Sequence, residues 1–372
     1  MDRNPSYFSN VLSTDYILKQ RIFSSRLRPF PDLEEDVYFD SEEHTSTLAF
    51  QNKLFIGTRS GLFSVLDTTQ KTYQIINRKL LNPQEKIRDI VAHDSSAVIC
   101  QDSGIHLFDL NRFTSEGVHI DTQTRFKSVD ALGSLIIASE KGNKVRIFTK
   151  NSFPKCRYTV ETEHELTCVK FLDSKSIVAS DMEGFVSFYD IRNLQRPVKK
   201  ELFTTGEYDI TSTGLTKRFV CTWLTLSHDR SKIAAISHGD FVSVIESSQL
   251  ENMRTSVNFT PKIVQNEASN MYACHTSSYD IRSQFSYCGE WLAVGSPCSQ
   301  FSLVHLSSET VLNVNTKIGR AMFPNFVDPI NIAVSCTTDT GSFIRRRGLK
   351  LQDIDGVSFY PSNDVLYTSF YH

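Results

Sequence analysis

Two histidine-aspartate pairs and a loose group of cysteines are the residue types best suited to chemistry. His228-Asp229 and His238-Gly239-Asp240 contain a general base beside an orienting carboxylate. They flank the apolar run Ile233 to Ser237, in the two places where turns need polar residues, so local turn chemistry is their expected role. Cys274-His275 with Cys288 and Cys298 supplies zinc-ligand types, but no C-x-x-C or closely spaced histidine pair gathers them around one ion. The chain contains no G-x-S-x-G elbow, Walker loop, H-E-x-x-H or G-x-G-x-x-G, which leaves the usual hydrolase, nucleotide and dehydrogenase mechanisms without a seat. No catalytic residue, metal or cofactor is expected. What remains is cationic: Arg192, Arg196, Lys199 and Lys200 in one cluster, and Arg345, Arg346, Arg347 and Lys350 in another. Guanidinium pairs hold phosphate or carboxylate through bidentate hydrogen bonds, so both clusters are candidate partner-binding residues.

The elements that carry these residues are strands. In 372 residues the composition includes 26 Phe and 13 Tyr, types that suit pleated, half-buried surfaces. With 40% hydrophobic and 22% charged residues the chain can bury a large core, and 40 cationic against 42 anionic side chains leave no whole-molecule field to attract DNA or an acidic membrane. Nucleic acid is therefore expected only through a local basic patch or indirectly. Short apolar runs recur at Leu54 to Gly57, Ala97 to Cys100, Leu135 to Ala138, Ile177 to Ser180, Ile233 to Ser237, Trp291 to Gly295 and Ile332 to Cys336. Each is followed by a polar turn and a second β-branched or aromatic run. The turn residues Gly61, Gly104, Gly142, Gly184, Gly239, Ser299 and Gly341 are spaced by 43, 38, 42, 55, 60 and 42 residues. Most of these spacings match the roughly 40 to 45 residues of a four-stranded propeller blade.

The unit from Leu166 to Arg192 resembles a WD repeat. Tyr189-Asp190 stands where that family has Trp-Asp, and Leu66-Asp67, Phe108-Asp109, Phe148-Thr149, Ile245-Glu246, His305-Leu306 and Arg345-Arg346 fill the same place elsewhere. The resemblance implies an all-β fold, a single closed β-propeller of seven or eight four-stranded blades over residues 1–372. An eighth blade would be split, residues 354–372 supplying two strands and 7–23 the other two, so that the termini close the ring. Family hydrogen-bond positions fall on His164, Ala179, Glu183 and Tyr189, an incomplete set, so blade stability is expected to rest on packing more than on polar clamps. Residues 24–45, with Pro29, Pro31 and a run of acids, read as a polar connector, and 247–278 as an inserted, partner-binding loop.

A propeller of this family implies a non-catalytic scaffold, a subunit of a larger assembly with protein partners. Tyr189-Asp190-Ile191-Arg192 is similar to the W-D-x-R ending of substrate receptors of cullin-RING ubiquitin ligases, which would make Arg192 an adaptor contact. Arg346-Arg347-Gly348 is similar to the Phe-Arg-Arg-Gly motif of phosphoinositide-binding propellers, although Arg345 replaces the Phe. A propeller hydrolase would need acids or histidines at the central channel, where the inner strands are expected to place mainly apolar and hydroxyl residues. Eight dispersed cysteines, no apolar leader near the N-terminus and no stretch long enough for a transmembrane helix point to an intracellular protein of the nucleus or cytoplasm.

Overall fold

The computed structural model describes residues 27–70, 72–119, 125–202, 220–238, 242–247, 280–307, 310–316, 319–328, 331–338 and 341–351. Apart from a 3-10 turn at Lys150–Ser152, the named elements are strands in antiparallel sheets. The first, β1 (Leu27–Asp40), belongs to the last sheet. Sheet 1 is β2 (His44–Phe50), β3 (Lys53–Thr58), β4 (Leu62–Asp67) and β5 (Gln74–Leu80). Sheet 2 is β6 (Ile87–His93), β7 (Ser96–Gln101), β8 (Gly104–Asp109) and β9 (Thr114–His119). Sheet 3 is β10 (Phe126–Leu132), β11 (Leu135–Glu140), β12 (Lys144–Thr149) and β13 (Cys156–Glu161). Sheet 4 is β14 (Leu166–Phe171), β15 (Ser176–Asp181), β16 (Phe185–Asp190) and β17 (Lys199–Leu202). Sheet 5 has three strands among the described residues, β18 (Cys221–Leu226), β19 (Lys232–Ser237) and β20 (Val242–Glu246). Sheet 6 is β21 (Ser283–Phe285), β22 (Trp291–Val294), β23 (Gln300–His305) and β24 (Thr310–Asn315). Sheet 7 is β25 (Arg320–Phe326), β26 (Asn331–Thr338) and β27 (Gly341–Leu351), with β1 paired to the outer edge of β27.

The seven apolar runs read from the sequence coincide with the second strands β3, β7, β11, β15, β19, β22 and β26. Both faces of those strands are buried, because the core lies between neighbouring sheets and not on one side of each. Ile177 and Ala179 pack towards sheet 3, whereas Val178 packs towards sheet 5. The aromatic excess fills these spaces: Phe55 and Phe63 of sheet 1 meet Phe108 of sheet 2, with the Phe63 and Phe108 rings edge to face at 5.1 Å. One such cluster joins sheet 7 to sheet 1 through Val327, Ala333, Ile344, Leu54, Ile56 and Tyr73.

The first strand of each sheet has an edge with no strand beside it, and an unpaired backbone group buried there is costly. Each edge is met by a side chain from an adjacent sheet. Thr45 Oγ1 donates to Ile87 O (2.7 Å), and Asp89 Oδ2 accepts from Val129 N (2.9 Å). Ser128 Oγ accepts from Val169 N (2.9 Å), and Asp130 Oδ2 from Phe171 N (2.7 Å). Thr167 Oγ1 donates to Cys221 O, and Thr225 Oγ1 to Ser283 O (2.8 Å). Gln284 Oε1 accepts from Phe326 N (2.7 Å), and Asn325 Oδ1 from Ala49 N (3.2 Å), which returns the series from sheet 7 to sheet 1. Beside the apolar clusters, every junction thus carries a polar clamp, supplied by first-strand residues outside the family positions.

Residues 27–40, expected within a polar connector, instead form β1, because the basic strand β27 offers them a partner. The expected pairing of 7–23 with 354–372, and all but the first residue of the expected inserted loop 247–278, lie outside the described residues.

Candidate functional site

The two cationic clusters of the sequence sit in different sheets and different surroundings. Arg192, in the turn after β16, keeps a side chain that is 76% exposed and grips Asp190 through Nε (2.9 Å) and Nη2. Hydrogen bonds from the Arg192 side chain and backbone hold the Asp190 carboxyl down at about 2. Arg196 is exposed in the same turn, which Leu194 anchors in the core, while Lys199 and Lys200 open β17 opposite Phe188 and Ser187. In the second cluster Arg345 is no surface group: it is buried, and its guanidinium donates to Thr316 O. Arg345, Arg346 and Arg347 lie in register with Asp36, Glu35 and Glu34 of β1, and Lys350 with Arg28. The acidic and basic runs, which the sequence separates by some three hundred residues, lie on adjacent strands.

A third group of charges lies where the first strands converge. Lys170 Nζ, from β14, reaches Asp89 Oδ2 of β6 (3.2 Å) and Val129 O of β10 (3.0 Å). It also lies 4.8 Å from the centroid of the Trp223 ring in β18. The Arg282 guanidinium, beside β21, stacks 3.5 Å from the same centroid and donates to Arg88 O (3.1 Å). Lys86 and Asp280 form a further pair at 2.6 Å. These bonds join sheet 2 to sheet 4 and sheet 2 to sheet 6, so they skip the sheets between and run across the middle of the arrangement. Burial disfavours the Lys170 ammonium, but Asp89 beside it more than offsets that and holds its pKa above the ordinary lysine range. Burial pushes Arg282 and Lys86 down, and for Lys86 Asp280 pulls the other way.

Around this plug the charges become half-exposed. Lys127 pairs with Glu165 (2.5 Å), Arg88 with Asp102 (2.6 Å), and Arg59 with Glu43 (3.1 Å), while Met182 is exposed beside them. All of these residues lie near the starts of first strands or in turns after second strands. Antiparallel pairing brings those positions to one end of the sheets. The sequence reading missed this group: the inner strands are mainly apolar and hydroxyl, as expected, but Asp89, Asp130 and Lys170 stand among them. Their signal was a charge or a Trp inside an otherwise apolar first strand; nothing in the spacing says that residues from alternate sheets meet.

The other candidates keep structural roles. Asp229 accepts from Ser227 Oγ (2.6 Å) and Ser231 Oγ (2.8 Å) within its own turn, and His228 lies against Tyr287. Gly239, Asp240, Cys274 and His275 lie outside the described residues, and the described cysteines are free thiols. Among the described residues no helix is long and apolar enough to cross a membrane.

No protein-family model matches the chain, and no curated protein matches it. Among solved structures it is similar to the β-propeller domain of Cps50 (Swd1) of Myceliophteria thermophila, with a TM-score of 0.67 at 12% identity. The match covers 84% of this chain and 99% of that one. At such identity the likeness is one of fold, and the chain has the β-propeller fold.

Proposed function

We propose that this propeller is a non-catalytic, WD-repeat-like scaffold, a subunit of a larger intracellular assembly in the nucleus or cytoplasm. Its seven sheets are the blades of one closed ring, with β1 completing the last. Partner binding is assigned to the end carrying Arg59, Arg88, Lys127, Glu165 and Met182. The observation that carries this reading is the axial plug: Lys170, Asp89, Trp223 and Arg282 are engaged with one another across the ring. Such a plug favours a rigid platform over a substrate channel, and the half-exposed ion pairs around it are groups that a protein partner can re-pair.

Purification from the native source, with mass spectrometry of stoichiometric partners, tests the assignment. Arg88→Glu with Lys127→Glu is expected to release the partner. Arg112→Glu, an exposed residue at the opposite end of the sheets, is expected to retain it. A partner held equally by all three proteins overturns the assignment, and turnover lost on replacing one Asp or His overturns the non-catalytic reading.

A second reading, the substrate receptor of a cullin-RING ubiquitin ligase, has one observation in its favour: Arg192 stays on the surface while Tyr189 is buried. An adaptor that co-purifies and is lost on Arg192→Ala supports it, and the absence of any adaptor removes it. The phosphoinositide reading rests on Arg346 and Arg347, since the buried Arg345 stands only where the motif has Phe; liposome binding unchanged by Arg346→Ala with Arg347→Ala removes it.

A further inference from the structure

The ring closes where sheet 7 meets sheet 1, and His44, the first residue of β2, lies inside that seam. Its side chain is buried. Its backbone N–H donates to Ser342 Oγ of β27 (3.0 Å), and Nδ1 is hydrogen-bonded to Ser335 Oγ of β26 (2.9 Å). The Tyr38 ring of β1 stacks over the imidazole, with centroids 6.4 Å apart. Nε2 is buried without a hydrogen-bond partner. His44 thus touches β1 and β26 through its imidazole and β27 through its backbone N–H, the three elements that must stay together for the ring to remain shut.

The ionisable groups around His44 are already committed. Asp40, at the end of β1, accepts from Arg78 of β5 (2.9 Å) and from Tyr38 Oη (3.1 Å). Glu42 accepts from Thr58 Oγ1 (2.7 Å) and from Ser60, and Glu43 pairs with Arg59 (3.1 Å). A protonated imidazole has a donor at each nitrogen and a full charge. In the closed seam the second donor has no acceptor, and the charge is shut away from water.

We propose that His44 makes the closing seam acid-sensitive, with a proton taken up at its imidazole when the seam opens and favouring release of β1 from the edge of β27. The sign follows from linkage. Burial, the largest cause, pushes the His44 pKa in the closed ring down to about 3, with Glu42 opposing. In an opened seam the imidazole titrates near its ordinary value of about 6.5. Opening is therefore unaffected by pH well above that value, and becomes easier as pH falls from there towards the closed-state value. Between pH 7.5 and 5.0 the opening equilibrium should rise about 30-fold.

Hydrogen exchange of the full chain at the two pH values, corrected for intrinsic exchange, reads this directly. Peptides covering β1 and the start of β27 should lose protection about 30-fold at the lower pH, while β14 and β15 keep theirs. His44→Gln should make protection of the seam independent of pH. Ser335→Asp, which gives the imidazolium a counter-charge, should shrink the acid effect and serves if the first variant does not fold. Unchanged wild-type protection across the window overturns the proposal, as does an equal loss in His44→Gln or Ser335→Asp.

Discussion

Lys170 is a lysine with hardly any contact with water, and its environment explains why the fold tolerates it. The ammonium has a carboxylate, a backbone carbonyl and an indole face around it, from three different sheets. Removing one partner from such a group is more damaging than never having placed it, because the remaining charge is left desolvated. Asp89→Asn is therefore expected to destabilise the protein by about 3–5 kcal/mol, measured by urea denaturation. In a Lys170→Met background the same change should cost much less. Additive effects in that double-mutant cycle would show that the two residues are not coupled. In the sequence Asp89 and Lys170 are single charges in apolar strands, and their separation carries no hint that they meet.

At the scale of the strand, the repeating problem is the inner edge. Seven first strands present backbone groups towards the axis, and Thr, Ser, Asp, Gln and Asn from adjacent sheets meet them. These short polar residues read as ordinary strand alternation, and their common role depends on how far each sheet is turned from the next. Ser128→Ala should leave the Val169 N–H unsatisfied and cost about 1–3 kcal/mol, read as a lower midpoint in chemical denaturation. Replacing Ser134, whose side chain caps no inner strand, should change little. The second strands were legible because burial on both faces produces continuous apolar runs. β1 was not: its prolines and acids resemble a solvated connector, and only the basic strand at the far end of the chain makes them a strand. Its register shifts between Pro29 and Glu34 and again between Asp36 and Tyr38 are the mark of that awkward sequence.

For the whole molecule, the joining of sheet 7 to sheet 1 is the property on which the rest depends. Clusters of core residues, inner-edge bonds and the β1–β27 ladder all cross from the end of the described chain to its beginning. A protein trimmed to start at Glu42 would lose the strand that covers β27. It is expected to self-associate through that exposed edge, seen as a larger species by size-exclusion chromatography. A trimmed protein that stays monomeric would show that β27 needs no cover. The proposed binding end is likewise a property of the whole, since its residues come from four sheets and share nothing but a position at the start of a first strand or the end of a second.

Sequence alone determined that the chain is all-β, that it is built from repeated units of about forty residues, and where the second strand of each unit falls, because those features are local and periodic. The tertiary structure alone decided which charges from alternate sheets meet, that Arg345 is buried, that an acidic segment near the N-terminus pairs with β27, and that His44 lies where sheet 7 meets sheet 1. Those outcomes depend on contacts between sheets far apart in the chain, and the rotation of each sheet about a shared axis, which sets them, leaves no periodic trace in the order of residues.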